Sequence, residues 1–130
     1  MAVLNRCAIA VAPKPPMREW SRPFWTREDM ESLGEEESLY LIPTYDDEAA
    51  AMAVLEEHYA PIFTAELELW CLEPGRWPAR RDYALFLDWF SLRFFPLVVD
   101  LGGEPLASYA VETSFSSSLR RALGLSLIHI

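Results

Sequence analysis

The chain has 130 residues, 52% hydrophobic and 13% aromatic, which suffices for one packed domain and rules out wholesale disorder. Its 20 acidic residues outnumber 11 Lys and Arg, and the net charge of −9 argues against nucleic acid and anionic membranes as partners. All the acids lie at or before Glu112, so residues 1–112 are expected to form a single globular domain and 113–130 a disordered tail.

The elements follow in chain order. Val3 to Ala12 alternates weakly and reads as a first strand, with Val3, Cys7, Ile9 and Val11 on one face. Ala8, Ala10 and Ala12 on the other face leave room for a helix. Pro13, Pro15 and Pro16 end regular pairing, and Pro16 starts a short helical turn through Trp20. Thr26 to Leu33 reads as a short helix, with Thr26 and Asp29 as a capping box and Gly34 as its stop. Glu35 to Glu37 is a solvated acidic run. Leu39 to Ile42 is a continuous apolar run closed by Pro43, which predicts a second, buried strand.

Asp46 or Asp47 caps the longest helix, expected to run to about Cys71. Its apolar face holds Met52, Leu55, Tyr59, Ile62, Phe63, Leu69 and Trp70, and Pro61 predicts a kink or break near Glu57. Pro74-Gly75 and Trp77-Pro78 mark a tight loop. Asp82 to Phe95 then has the spacing of a helix with two apolar faces. Tyr83, Phe86, Leu87, Phe90 and Phe94 form one face, Leu85, Trp89 and Leu92 the other. Such a helix is either sandwiched inside the domain or presents Trp89 and its neighbours to a partner. Leu97 to Leu101 reads as a third strand, and Leu106 to Val111 as a fourth strand or a loose extension.

Chemistry-bearing residues are few. Glu66 falls inside the apolar face of the long helix, where burial calls for an arginine such as Arg80, Arg81 or Arg6. His58 has no ligand-type residue at helical spacing, so no metal pair is expected. Asp100 closes the third strand before Gly102-Gly103 and reads as a turn former. No catalytic, cofactor or metal motif is found, and the basic residues read as too few and dispersed for a nucleic-acid footprint. Trp70, Trp77, Trp89 and Phe90 are candidates for an aromatic hot spot or for the core.

Cys7 and Cys71 read as buried thiols of a reducing compartment. The run Cys7 to Ala12 is too short for a secretory signal, and no stretch reaches the roughly 18 apolar residues of a membrane helix. The expected location is therefore the cytoplasm.

Asn5-Arg6-Cys7, Tyr40-Leu41-Ile42-Pro43, Trp77-Pro78, Arg81, Phe86, Trp89-Phe90 and Val98-Val99-Asp100-Leu101 together resemble a family of short uncharacterised bacterial proteins, over roughly Leu4 to Leu106. The resemblance implies one compact bacterial cytoplasmic domain and carries no activity. The final residues, Leu125 to Ile130, resemble a translated sequencing adapter and are set aside with His129.

The sequence thus predicts an α+β fold: a small sheet of about three strands packed by two long helices and one or two short ones. The first two strands are expected to be parallel, joined by a right-handed crossover. The expected function is a non-enzymatic acidic interaction module with an unknown protein partner or self-association, without cofactor, nucleic acid or membrane. The alternative is a small-molecule-binding protein or enzyme around Glu66 and Arg80 or Arg81. The candidate interaction or pocket residues are Glu66, Arg81, Trp89 and Asp100.

Overall fold

Proline opens the first helix of this α+β fold, and a proline is the last residue of the central strand that precedes it. The computed structural model describes residues 1–32 and 37–109. The stop expected at Gly34, most of the acidic run, the end of the Leu106–Val111 segment and the tail at 113–130 lie outside them. Residues 106–109 form no strand.

Strand β1 (Ala2–Val3) precedes β2 (Cys7–Pro13). Helix α1 (Pro15–Ser21) follows, then a 3-10 turn at Arg22–Phe24 and α2 (Arg27–Ser32). Next come β3 (Ser38–Ile42), α3 (Glu48–Glu68) and a second 3-10 turn at Pro74–Arg76. Helix α4 (Tyr83–Trp89) runs directly into β4 (Phe90–Phe95), and β5 (Val99–Asp100) follows. The main sheet has the order β3-β2-β4, and β1 pairs with β5 as a separate ribbon.

Both neighbours of β2 are antiparallel to it, which overturns the expected parallel crossover. The reason is length. At about 1.5 Å per residue α1 spans about 10 Å and α2 less, whereas β2 spans about 23 Å. Neither helix is long enough to return the chain along the sheet for a parallel pairing.

The expected 82–95 helix is also corrected. Asp82 caps it as predicted, its carboxylate accepting from Leu85 N at 2.9 Å, but the helix stops at Trp89. Phe90 is extended (φ −131°, ψ 139°), and Lys14 N donates to the Trp89 carbonyl at 2.8 Å. The Lys14 ammonium takes the Leu87 carbonyl at 2.9 Å, a cation on the last turn where the helix dipole favours it. From there β2 supplies a full ladder, Ala12 to Ser91 and Ala8 to Phe95. A six-residue stretch alternating Phe90, Leu92, Phe94 with Ser91, Arg93, Phe95 satisfies a strand period, and the ladder decides it.

The register sorts the sheet into two faces. Cys7, Ile9 and Val11 point inward with Tyr40 and Ile42 from β3 and Phe90, Leu92 and Phe94 from β4. Helices α3 and α4 contribute Leu55, Ile62, Phe63, Leu67 and Phe86 to the same core. The outer face carries Ala8 and Ala10 between Leu39 and Leu41 on one side and Arg93 and Phe95 on the other. Strand β3 is therefore half-buried rather than buried, with Leu39 64% and Leu41 52% exposed. Among the described residues it is an edge strand. Arg93 reaches from β4 across the alanine row to Glu37, its Nη2 2.8 Å and its Nε 3.2 Å from Oε1. Small side chains on β2 leave the space for that crossing.

Local capping signals come out as read. Thr26 N donates to Asp29 Oδ2 at 2.8 Å and Asp29 N to Thr26 Oγ1 at 3.2 Å, a reciprocal capping box. Asp47 caps α3, its Oδ1 accepting from Ala50 N at 2.8 Å. The helix then runs unbroken through Pro61, so of the expected kink or break the break is not found. Pro61 lies on the exposed side of α3. The carbonyl that loses its amide donor there sits on Glu57, itself exposed, so water can take the donor's place. Asp47→Ala is expected to cost about 0.5–2 kcal/mol by urea denaturation. A denaturation midpoint equal to the parent's would show that the cap contributes nothing to α3.

Candidate functional site

The predicted site residues do not converge. Glu66 is 4% exposed on α3 and receives the Tyr40 hydroxyl of β3 on Oε2 at 2.5 Å. Burial, then the Glu66 charge and the hydrogen bond to it, holds the Tyr40 hydroxyl far above its usual range, so Tyr40 is a permanent donor. The expected arginines are engaged elsewhere. Arg80 pairs with Asp82 at 3.2 Å, Arg81 donates to the Pro78 carbonyl at 2.6 Å, and Arg6 donates to the Asn5 carbonyl at 2.8 Å.

Asp100 accepts from Gly102 N at 2.7 Å, the turn role the sequence indicated. A Cβ at Gly102 would sit 3.0 Å from that carboxylate oxygen, so the turn favours glycine there. His58 Nδ1 lies 2.8 Å from the Val54 carbonyl of its own helix. Trp89 is half-buried between Trp20 of α1 and Phe63 of α3, with ring centroids 6.3 and 6.0 Å away. The second face of α4 is thus packed inside the protein rather than presented outward. The Cys7 and Cys71 thiols are buried and donate to the Pro96 and Glu73 carbonyls. Among the described residues no group of three or more His, Cys, Asp or Glu is placed to hold a metal ion. No helix among them is long and apolar enough to cross a membrane.

The fold assembles a different surface, one that the sequence left scattered. Two segments meet there: α1 with the 3-10 turn after it, and the loop from Cys71 to Asp82. Trp20 Nε1 donates to the Arg76 carbonyl at 3.0 Å and ties them together. Arg76 then places its guanidinium 4.4 Å over the Phe24 ring. Arg22 lies 5.6 Å over Trp25, and Arg81 5.6 Å over Trp77. All three arginines are exposed, while the rings beneath them are half-buried.

Each indole in this surface has its polar atom satisfied, which fixes the rings. Trp25 Nε1 donates to Ser21 Oγ at 2.8 Å, and Ser21, 2% exposed, donates in turn to the Arg18 carbonyl. Trp77 Nε1 donates to the Cys71 carbonyl at 2.9 Å. Trp25 packs on Trp70, and Trp20 on Phe24. The aromatic platform is thereby anchored to the body at several points, and the guanidiniums rest on rings with few alternatives.

Charge follows the same division. Residues 15–25 hold Arg18 and Arg22 against Glu19, and residues 71–82 hold Arg76, Arg80 and Arg81 against Glu73 and Asp82. Together they carry +2, in a chain whose total is −9, leaving −11 for the rest. The basic residues are few, as read from the sequence, but not dispersed. A signal was present in Arg18-x-Trp20-x-Arg22 with Phe24-Trp25, and in Arg76-Trp77 with Arg80-Arg81. It was not legible as one surface because 56 positions separate Trp20 from the Arg76 carbonyl that it binds.

No protein-family model matches the chain, and no curated protein or solved structure matches it either.

Proposed function

We propose that the protein is a non-enzymatic, acidic interaction module of a bacterial cytoplasm, and that it engages a protein partner through the arginine–aromatic surface. One observation carries this reading: three exposed guanidiniums lying over anchored rings, on a positive region of an acidic chain. Arginine and tryptophan dominate the energetics of protein interfaces because a rigid ring and a planar fork lose little freedom on binding. Two buried thiols in a chain without disulfides fit a reducing compartment.

The polar groups that a catalytic reading would need are used internally. Glu66 binds Tyr40, His58 binds Val54, and Arg80 binds Asp82.

The test is a paired capture from bacterial lysate, with the full chain and its Arg22→Ala/Arg76→Ala variant as baits. A stoichiometric protein retained by the parent and absent from a folded variant is the expected result. Identical retained sets on both baits would remove this surface from the function.

A further inference from the structure

The chemistry of the surface narrows what binds there, and this step rests on the interaction reading above. A guanidinium over a ring is attracted by the ring's negative face, and the N–H donors along its edges stay available. That edge matches the two oxygens of a carboxylate. The surface already handles carboxylates of its own chain. Arg22 Nη2 lies 3.3 Å from Glu19 Oε2, with 57% and 69% of the two side chains exposed, and Arg80 Nε lies 3.2 Å from Asp82 Oδ2. Exposed pairs of this kind are weak and exchangeable. Among the described residues Arg76 and Arg81 make no ion pair. Arg81 gives one Nη1 donor to the Pro78 carbonyl at 2.6 Å, and over Phe24 and Trp77 both guanidiniums keep further donors for a carboxylate.

We infer that the Arg76–Phe24 and Arg81–Trp77 pairs grip the carboxylates of an acidic polypeptide segment. Net charge selects between polyanions. The −11 carried by the rest of the chain repels a long phosphate backbone, whose field extends well past one surface. A short Asp/Glu segment reaches the positive surface and leaves the acidic body behind. Aliphatic and aromatic neighbours in such a segment would find Trp20, Phe24 and Trp77, each half-buried, as apolar ground between the charges.

The experiment is a titration of the full chain with a labelled peptide of alternating Asp and Glu with one Leu, read by anisotropy and by tryptophan fluorescence. A Gln-for-Glu and Asn-for-Asp peptide and an oligothymidylate serve as competing probes. The expected result is saturable binding of the acidic peptide that weakens with added salt, with none for the amide peptide. Arg76→Ala and Arg81→Ala should each weaken it by about tenfold, and Arg76→Lys, which keeps the charge and loses the fork, should weaken it as well. Arg6→Ala, which lies outside the surface, should leave it unchanged. Thermal melts confirm folding, and Arg81→Ala decides should Arg76→Ala fail to fold.

Four outcomes overturn the inference: no binding of the acidic peptide, an equal loss in Arg6→Ala, tighter binding of the oligothymidylate, or sedimentation showing a second copy of this chain on the surface. A partner captured through Arg22 and Arg76 together with a negative peptide titration would leave the interaction reading standing and remove only the acidic segment.

Discussion

Phe90→Ala is expected to lower the folding free energy by about 3–5 kcal/mol, the range for removing a buried aromatic ring. Phe90 is 1% exposed at the point where α4 becomes β4. Its ring meets Phe63 of α3 edge-on at 5.5 Å and Phe86 of α4 at 5.2 Å, and Phe63 and Phe86 meet each other at 5.7 Å. These three rings join the long helix, the short helix and the sheet in one place. A cavity there cannot collapse easily, because each wall belongs to a different element. Equilibrium urea denaturation measures the loss. Phe95→Ala serves as the contrast: Phe95 is 37% exposed on the outer face of the same strand, and its loss should cost about 1–2 kcal/mol, clearly less than Phe90→Ala. A larger cost for Phe95→Ala than for Phe90→Ala would mean that the inner and outer faces have been exchanged by a one-residue slip in register.

Phe90 also shows how sequence can identify a core residue while misplacing its element. On helical spacing Phe90 is central to an apolar face, and on strand spacing it is equally inward. Large apolar residues at 86, 90 and 94 satisfy both periods, so the pattern alone could not separate them. What separates them is the ladder to β2, a contact between residues roughly 80 positions apart. The elements that were legible are those fixed by neighbours in sequence: the Thr26–Asp29 box, the Asp47 and Asp82 caps, the Asp100 turn. The partner of Glu66 was not, because a buried carboxylate calls for donors without saying which. An arginine was expected, and one donor found is a tyrosine hydroxyl on β3, 26 positions away. The arginine–aromatic surface failed to appear for the same reason. Its halves are separate stretches of loop and short helix until Trp20 finds the Arg76 carbonyl.

That buried pair leads to the second large effect. Tyr40→Phe is expected to cost about 1–3 kcal/mol at neutral pH, because Glu66 loses a donor in a site where water has little access. The pH dependence separates this from a simple packing change. In the unfolded chain Tyr40 ionises near pH 10.0, whereas in the folded protein burial and the Glu66 charge keep it protonated well above that. Between those two points the folded state holds one more proton than the unfolded state. Stability contributed by the hydroxyl is therefore complete below about pH 10 and is lost as the pH rises further, at up to about 1.4 kcal/mol per unit. Burial shifts Tyr45 and Tyr83 in the same direction, so the variant keeps part of the alkaline slope. The expected result is that the parent and Tyr40→Phe denaturation curves, measured from pH 7 to 11, converge above pH 10 as the parent loses its advantage. A difference that stays constant across that range would mean that the Tyr40 hydroxyl titrates alike in both states, and that Glu66 is held by its other surroundings rather than by Tyr40.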